Sequence, residues 1–212
     1  MDINAYLHEI EHALGSLLGS IWHDHERAQK LREEILHLKE LAEDQYRRAE
    51  FTQMNAMDSE DLMDGVGLYW DTYFGPDKDQ HYKSISLEEL EKMLEVREFS
   101  ISALSGNVLQ LAKQGLSLAY GSPSDWPSVR QIGSQTLAAV ILQARNQTEH
   151  WEEGNPKPKV VICFDALTAE MGPEFSRYRE KNLAFEVISL LGWHTLEDFN
   201  RDFQTTVATN SD

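Results

Sequence analysis

The chain has 212 residues, 41% of them hydrophobic and 26% charged, and its 19 basic and 36 acidic side chains give a net charge of -17. That composition supports a buried core and excludes a chain left unfolded for want of apolar surface. The charge excludes broad attraction to nucleic acid or anionic membrane, both of which need a positive surface, while leaving room for one local phosphate site.

The acidity is uneven. Residues 1–100 carry 23 acidic and 10 basic side chains, and residues 101–212 carry 13 and 9. Between Arg130 and Lys181 seven bases balance seven acids, so any polyanion is expected there. The single cysteine, Cys163, lies in the apolar run Val160–Phe164 and reads as a buried thiol. The N-terminus lacks the basic flank and apolar stretch of a signal peptide, and no run approaches the roughly 20 apolar residues of a membrane span. A soluble, cytoplasmic protein is expected.

From the N-terminus, Ile3, Leu7, Ile10, Leu14, Leu17, Ile21, Ala28, Leu31, Ile35, Leu38 and Ala42 recur in alternating steps of four and three, broken only at Asp24. This seam predicts a long helix or a helical hairpin bending near Trp22–His25. Gly15 and Gly19 fall off the seam. Residues 1–55 are therefore read as one heptad-patterned helical region, and residues 56–212 as a second helical domain.

Further along, Asp58 is placed to cap a short helix through Tyr73, and Gly75-Pro76-Asp77 reads as a turn. Ser86-Leu87-Glu88-Glu89 has capping-box spacing and predicts a helix start, running to Tyr120 with a break near Gly106. Gly121–Asp125 ends it. Pro127 suits the first turn of a helix to about Trp151. Within that helix Leu137–Leu142 is apolar on every side, which marks burial by several neighbours. Gly154–Pro158 breaks the pattern, Val160–Phe164 reads as a strand without a partner, and residues 173–192 and 196–207 read as helices punctuated by Gly192 and Thr195. The last few residues are expected to fray.

His8-Glu9-Ile10-Glu11-His12 matches the zinc-protease pattern H-E-x-x-H, in which two imidazoles on one helix face hold a metal and the glutamate is the base. Gly15 extends the match, but Leu18 stands where a third histidine belongs. The seam also turns His8 and His12 to solvent, so a solvated face is the stronger reading. His23 and His25 diverge by about 200° on a helix and form no metal pair. Serine-nucleophile, P-loop and dinucleotide-binding patterns are absent from the sequence. No cofactor and no metal are expected.

The polar end of the buried helix, Ala144-Arg145-Asn146-Gln147-Thr148-Glu149-His150-Trp151, carries the clearest chemistry. Asn146 and His150 share a face four positions apart, whereas Arg145 lies about 140° from His150 on an ideal helix. A histidine can exchange a proton near neutral pH, and an arginine can hold phosphate oxygens in pairs. On residue chemistry alone, structural contacts of Arg145 and His150 are the commoner explanation.

Arg145-Asn146-x-x-x-His150, at the end of a buried helix, resembles the R-x(4–6)-H signature of HEPN-domain proteins, including the polar residue that often follows their arginine. The wider resemblance runs from Ser86 to Trp151. It implies an all-α, HEPN-like helical bundle carrying a long N-terminal helix or hairpin. It further implies a homodimer whose protomers bring their motifs together. The implied activity is metal-independent RNA cleavage in a bacterial toxin–antitoxin or phage-defence system, with a cognate antitoxin or defence protein as partner. In that scheme Arg145, Asn146 and His150 are catalytic. His150 activates the ribose 2′-hydroxyl or protonates the leaving oxygen, Arg145 stabilises the phosphorane, and Asn146 orients the phosphate or the histidine.

The sequence departs from one toxin subgroup of that family, which carries a tyrosine two positions after the histidine as the target of AMP modification. Glu152 stands there in this chain. Glu149, Glu152 and Glu153 also place negative charge beside His150. A catalytically silent dimerisation or effector-binding module is the alternative expectation.

Overall fold

The computed structural model describes residues 3–54, 77–127 and 130–208. Among these the fold is all-α. Helix α1 spans Ile3–Met54, α2 Asp77–Tyr120, α3 Leu137–His150, α4 Pro158–Glu170, α5 Ala184–Leu191 and α6 Leu196–Ala208. The only strands among the described residues form a minimal antiparallel hairpin, β1 (Gln131–Ile132) with β2 (Gln135–Thr136). No described helix is long and apolar enough to cross a membrane. The chain divides into two compact units, Met1–Asp24 with Phe99–Asp212, and His25–Glu98. Both boundaries fall inside helices α1 and α2.

In the larger unit α1 buries Ile3, Leu7, Ile10, Leu14, Leu18 and Ile21. Leu18 takes the place the four–three series assigned to Leu17, which is only half-buried. The cause is geometric: an α-helix has 3.6 residues per turn and drifts about 20° per heptad from a strict 3.5 repeat. The helix continues through Trp22–His25 without the bend of a hairpin. In the smaller unit, Arg32 pairs with Glu98 at 2.7 Å and Lys39 with Glu91 at 2.6 Å. As the number on α1 rises the number on α2 falls, so these segments run antiparallel within one chain.

Several local expectations are corrected. Helix α2 already runs from Asp77, so Ser86 and Glu89 lie in its interior, where no free helix N-terminus is left for a box to cap. The capping box sits at α6. There the Asp198 carboxylate accepts the Thr195 N–H at 3.0 Å, and the Thr195 hydroxyl accepts the Asp198 N–H at 3.3 Å. The cap expected at Asp58, its helix to Tyr73, the turn residues Gly75 and Pro76, and the fraying of residues 209–212 lie outside the described residues.

Gly106 does not interrupt α2. A Cβ there would stand 2.6 Å from Thr148 Cγ2, so the glycine lets α2 and α3 approach closely. Helix α3 starts at Leu137 rather than Pro127, because the β-hairpin intervenes and the Thr136 hydroxyl caps the helix by accepting the Ala139 N–H at 3.1 Å. Val160–Phe164 is helical, not a strand. Pro158 opens α4, and Val160, Cys163, Phe164 and Leu167 form a buried stripe at helical spacing. Residues 173–177 form a short 3-10 segment packed on α4, and only Ala184–Leu191 of the expected helix over 173–192 is α-helical.

Gly192, with φ +71°, ends α5 in the left-handed region that glycine adopts without strain. The core of this unit centres on fully buried Trp193, Phe164, Phe175, Phe199 and Ile141. The Trp193 indole N–H donates to Asp202 Oδ2 at 2.7 Å, and Arg130 pairs with the same oxygen while donating to the Leu191 carbonyl at 3.1 Å. A buried indole and a partly buried carboxylate are thus both satisfied, as interior polar groups require.

Candidate active site

The motif helix α3 is fixed by its apolar half. Leu137, Ala138, Val140, Ile141 and Ala144 are buried, and the helix packs against α4 and α5. Gln147 continues this buried face with 2% exposure. Its amide N–H groups donate to the carbonyls of Tyr178 and Lys181 at 2.8 and 2.7 Å, and its oxygen accepts the Leu183 N–H at 3.0 Å. One side chain therefore clamps residues 178–183 against the motif helix.

Beyond His150 the chain makes one 3-10 turn, Trp151–Glu153, and Gly154 reverses it at φ +64°. Residues 155–157 then lead into Pro158 at the start of α4. This return path creates a shallow concavity of about 370 Å³, solvent at its mouth included, lined by Asn146, His150, Trp151, Lys157, Val160 and Tyr178 among others. Tyr178 is 4% exposed. Its hydroxyl donates to Asp165 Oδ1 at 2.9 Å and accepts from Arg179 Nε at 3.1 Å. Burial, opposed by the hydrogen bond from Arg179, holds its ionisation above the ordinary phenol value.

The three expected site residues separate. Asn146 and His150 line the concavity together. His150 Nδ1 is 2.8 Å from Glu153 Oε1, a solvent-exposed contact within one helical turn in which the ring nitrogen faces the carboxylate. Arg145 does not line it. Its Nε donates to Gln110 Oε1 on α2 at 2.7 Å, and its guanidinium pairs with Glu149 at 2.5 Å and reaches Asn146 Oδ1 at 3.4 Å. Five helical positions carry Arg145 onto the α2-facing side.

Sequence reasoning missed Gln147, Lys157 and Tyr178. Gln147 was detectable, since it is a polar residue in the register 137, 140, 141, 144, 147 of a buried helix face. Lys157 and Tyr178 are brought in by the path of the loops, which has no periodic signature.

Elsewhere, His8 and His12 are exposed, and His8 Nδ1 lies 3.4 Å from Glu11. Leu18, in the third-histidine position, is 1% exposed. No cluster of three or more His, Cys, Asp or Glu side chains among the described residues is arranged to hold a metal ion. Cys163 is buried, and burial pushes its thiol up to about 12. None of the protein-family models, curated proteins or solved structures compared with this chain matches it.

Proposed function

We propose that the chain is a HEPN-like, metal-independent endoribonuclease of a bacterial toxin–antitoxin or phage-defence system, acting in the cytoplasm with RNA as substrate. The observation that carries the reading is the pairing of Asn146 and His150 in one solvent-open concavity, with the Glu153 carboxylate in contact with the imidazole. With Nδ1–H donated to Glu153, His150 Nε2 takes the proton of a ribose 2′-hydroxyl. The 2′-oxygen then forms a bond to phosphorus, and the bond from phosphorus to the 5′-oxygen breaks. Water in the solvent-open concavity protonates that oxygen, and the His150 imidazolium returns its proton to the solvent, which restores the base. The products are a 2′,3′-cyclic phosphate and a 5′-hydroxyl. Asn146 orients a phosphate oxygen or the imidazole through its amide.

A homodimer belongs to this proposal. One chain directs Arg145 towards Gln110 and His150 into the concavity, so the phosphorane-stabilising guanidinium reaches the reacting phosphate only if two motifs meet. A cognate antitoxin or defence protein would then control access to the joint site.

The test is cleavage of mixed cellular RNA by the full chain in excess EDTA, beside His150→Ala. Cyclic-phosphate ends that vanish in the variant are the expected result. Equal cutting by both proteins would sink the assignment. A second reading, a catalytically silent dimerisation or effector-binding module, is favoured by the occupation of Arg145 by Gln110, Asn146 and Glu149. Intact RNA at high concentrations of a protein that sediments as a dimer would support it.

A further inference from the structure

The concavity at His150 contains a cation that the motif does not include. Lys157 lines it beside His150 and Asn146. Among the cations around the motif, Arg145 is bound to Glu149, Arg177 to Glu180 and Lys181 to Glu186, while Arg179 donates to the Tyr178 hydroxyl. Lys157 makes no ion pair with any carboxylate of the described residues. Its backbone is held between Pro156 and Pro158 with φ -61° and ψ 150°, the extended conformation that a following proline enforces. The carbonyl of Lys157 also accepts the N–H groups of Val160 and Val161 at 2.9 and 3.1 Å, which fastens it to the first turn of α4. The result is an exposed lysine on a fixed root, without an ion pair among the described residues of a chain of net charge -17, at the concavity that Asn146 and His150 also line.

We infer that Lys157 is the substrate-binding cation of this concavity, holding an RNA phosphate next to His150, a place that Arg145 of the same chain does not reach. The inference rests on the endoribonuclease reading and adds a residue to it. A flexible ammonium suits this position. It neutralises a phosphate as a point charge without demanding the planar two-point geometry of a guanidinium. Glu149, Glu152 and Glu153 surround the motif with negative charge, so a polyanion needs one uncompensated cation at the point of entry. Lys159, two residues further on and also without an ion pair among the described residues, does not line the concavity and serves as an internal control of equal charge.

The experiment measures binding of a fluorescein-labelled, uncleavable 2′-O-methyl RNA 12-mer of mixed sequence to the full chain, by anisotropy, across a salt series. Wild type, Lys157→Gln and Lys159→Gln are compared, with circular dichroism confirming helix content. Lys157→Gln is expected to weaken binding about fivefold and to lower the slope of log K against log salt by about 0.7, the loss of one single-strand phosphate contact. Lys159→Gln is expected to change either value by less than half as much. Equal binding and slope in wild type and Lys157→Gln overturn the inference alone. Equal losses in Lys157→Gln and Lys159→Gln also overturn it, since they show general charge attraction. Absence of binding by every protein, wild type included, overturns the ribonuclease reading together with this inference.

Discussion

Gln147 accepts the backbone N–H of Leu183 at 3.0 Å, and both residues are buried. The same side chain donates to Tyr178 and Lys181. The segment that supplies the Tyr178 wall of the concavity is therefore tied to the motif helix by one amide. Gln147→Leu keeps the size and removes all three bonds. It should cost about 2–4 kcal/mol, because Leu183 N–H and two carbonyls lose their partner in a dry interior. Gln147→Glu should be as damaging, since a carboxylate would face two carbonyl oxygens. Urea denaturation read by circular dichroism decides this, and an unchanged midpoint in both variants would refute the clamp.

Gly106→Ala tests the approach of α2 to α3. On an exposed helix the change would stabilise by about 1 kcal/mol. Here the new methyl would meet Thr148 Cγ2 at 2.6 Å, and a β-branched side chain has little freedom to withdraw. A loss of about 1–3 kcal/mol is expected instead. Combining it with Thr148→Ser, which deletes that methyl, should recover most of the loss in a double-mutant cycle. Strict additivity of the two changes would show that the contact is not the cause.

Stability should fall in alkaline solution. Burial pushes the Cys163 thiol from 9.0 to about 12, and burial followed by the Glu9 charge pushes the Tyr6 hydroxyl from 10.0 to about 12. Both groups ionise more readily in the unfolded chain. From about pH 9 for Cys163, and about pH 10 for Tyr6, the unfolded state therefore binds fewer protons, and stability declines up to about pH 12. Melting temperature measured from pH 8 upward should decline above pH 9, less steeply in Cys163→Ala and in Tyr6→Phe. Native protein at pH 8 should also react with a thiol-specific disulfide reagent only after denaturant is added. Immediate reaction would contradict the burial of the sulfur.

The helical character of the chain was legible where the longer elements, α1 above all, repeat their apolar residues at a helical period. The α1 stripe and the buried face of α3 follow from such spacing, and the turns at Gly121, Gly154 and Gly192 from the left-handed backbone that glycine allows. The errors have equally specific causes. Val160–Phe164 is a short apolar run, whose period alone does not distinguish a buried strand from a buried helix. The box at Ser86 has the right residues, but α2 begins nine positions earlier. Pro127 favours a helix start locally, yet the β-hairpin and the Thr136 cap move that start to Leu137.

The sequence by itself determined that Asn146 and His150 share a helix face, because four positions make just over one turn, and that Arg145 departs from it. It also determined the burial of Cys163 and the solvent exposure of His8 and His12, through their places relative to apolar runs. Only the tertiary structure decided that Arg145 turns to Gln110 on α2, that Gln147 holds residues 178–183, and that Lys157 returns to the concavity of His150. Helical periodicity acts over a few residues and is written in spacing. The approach of side chains 35 or 36 positions apart, as in Arg145 with Gln110 and Gln147 with Leu183, depends on how helices and loops pack, and no local pattern encodes it.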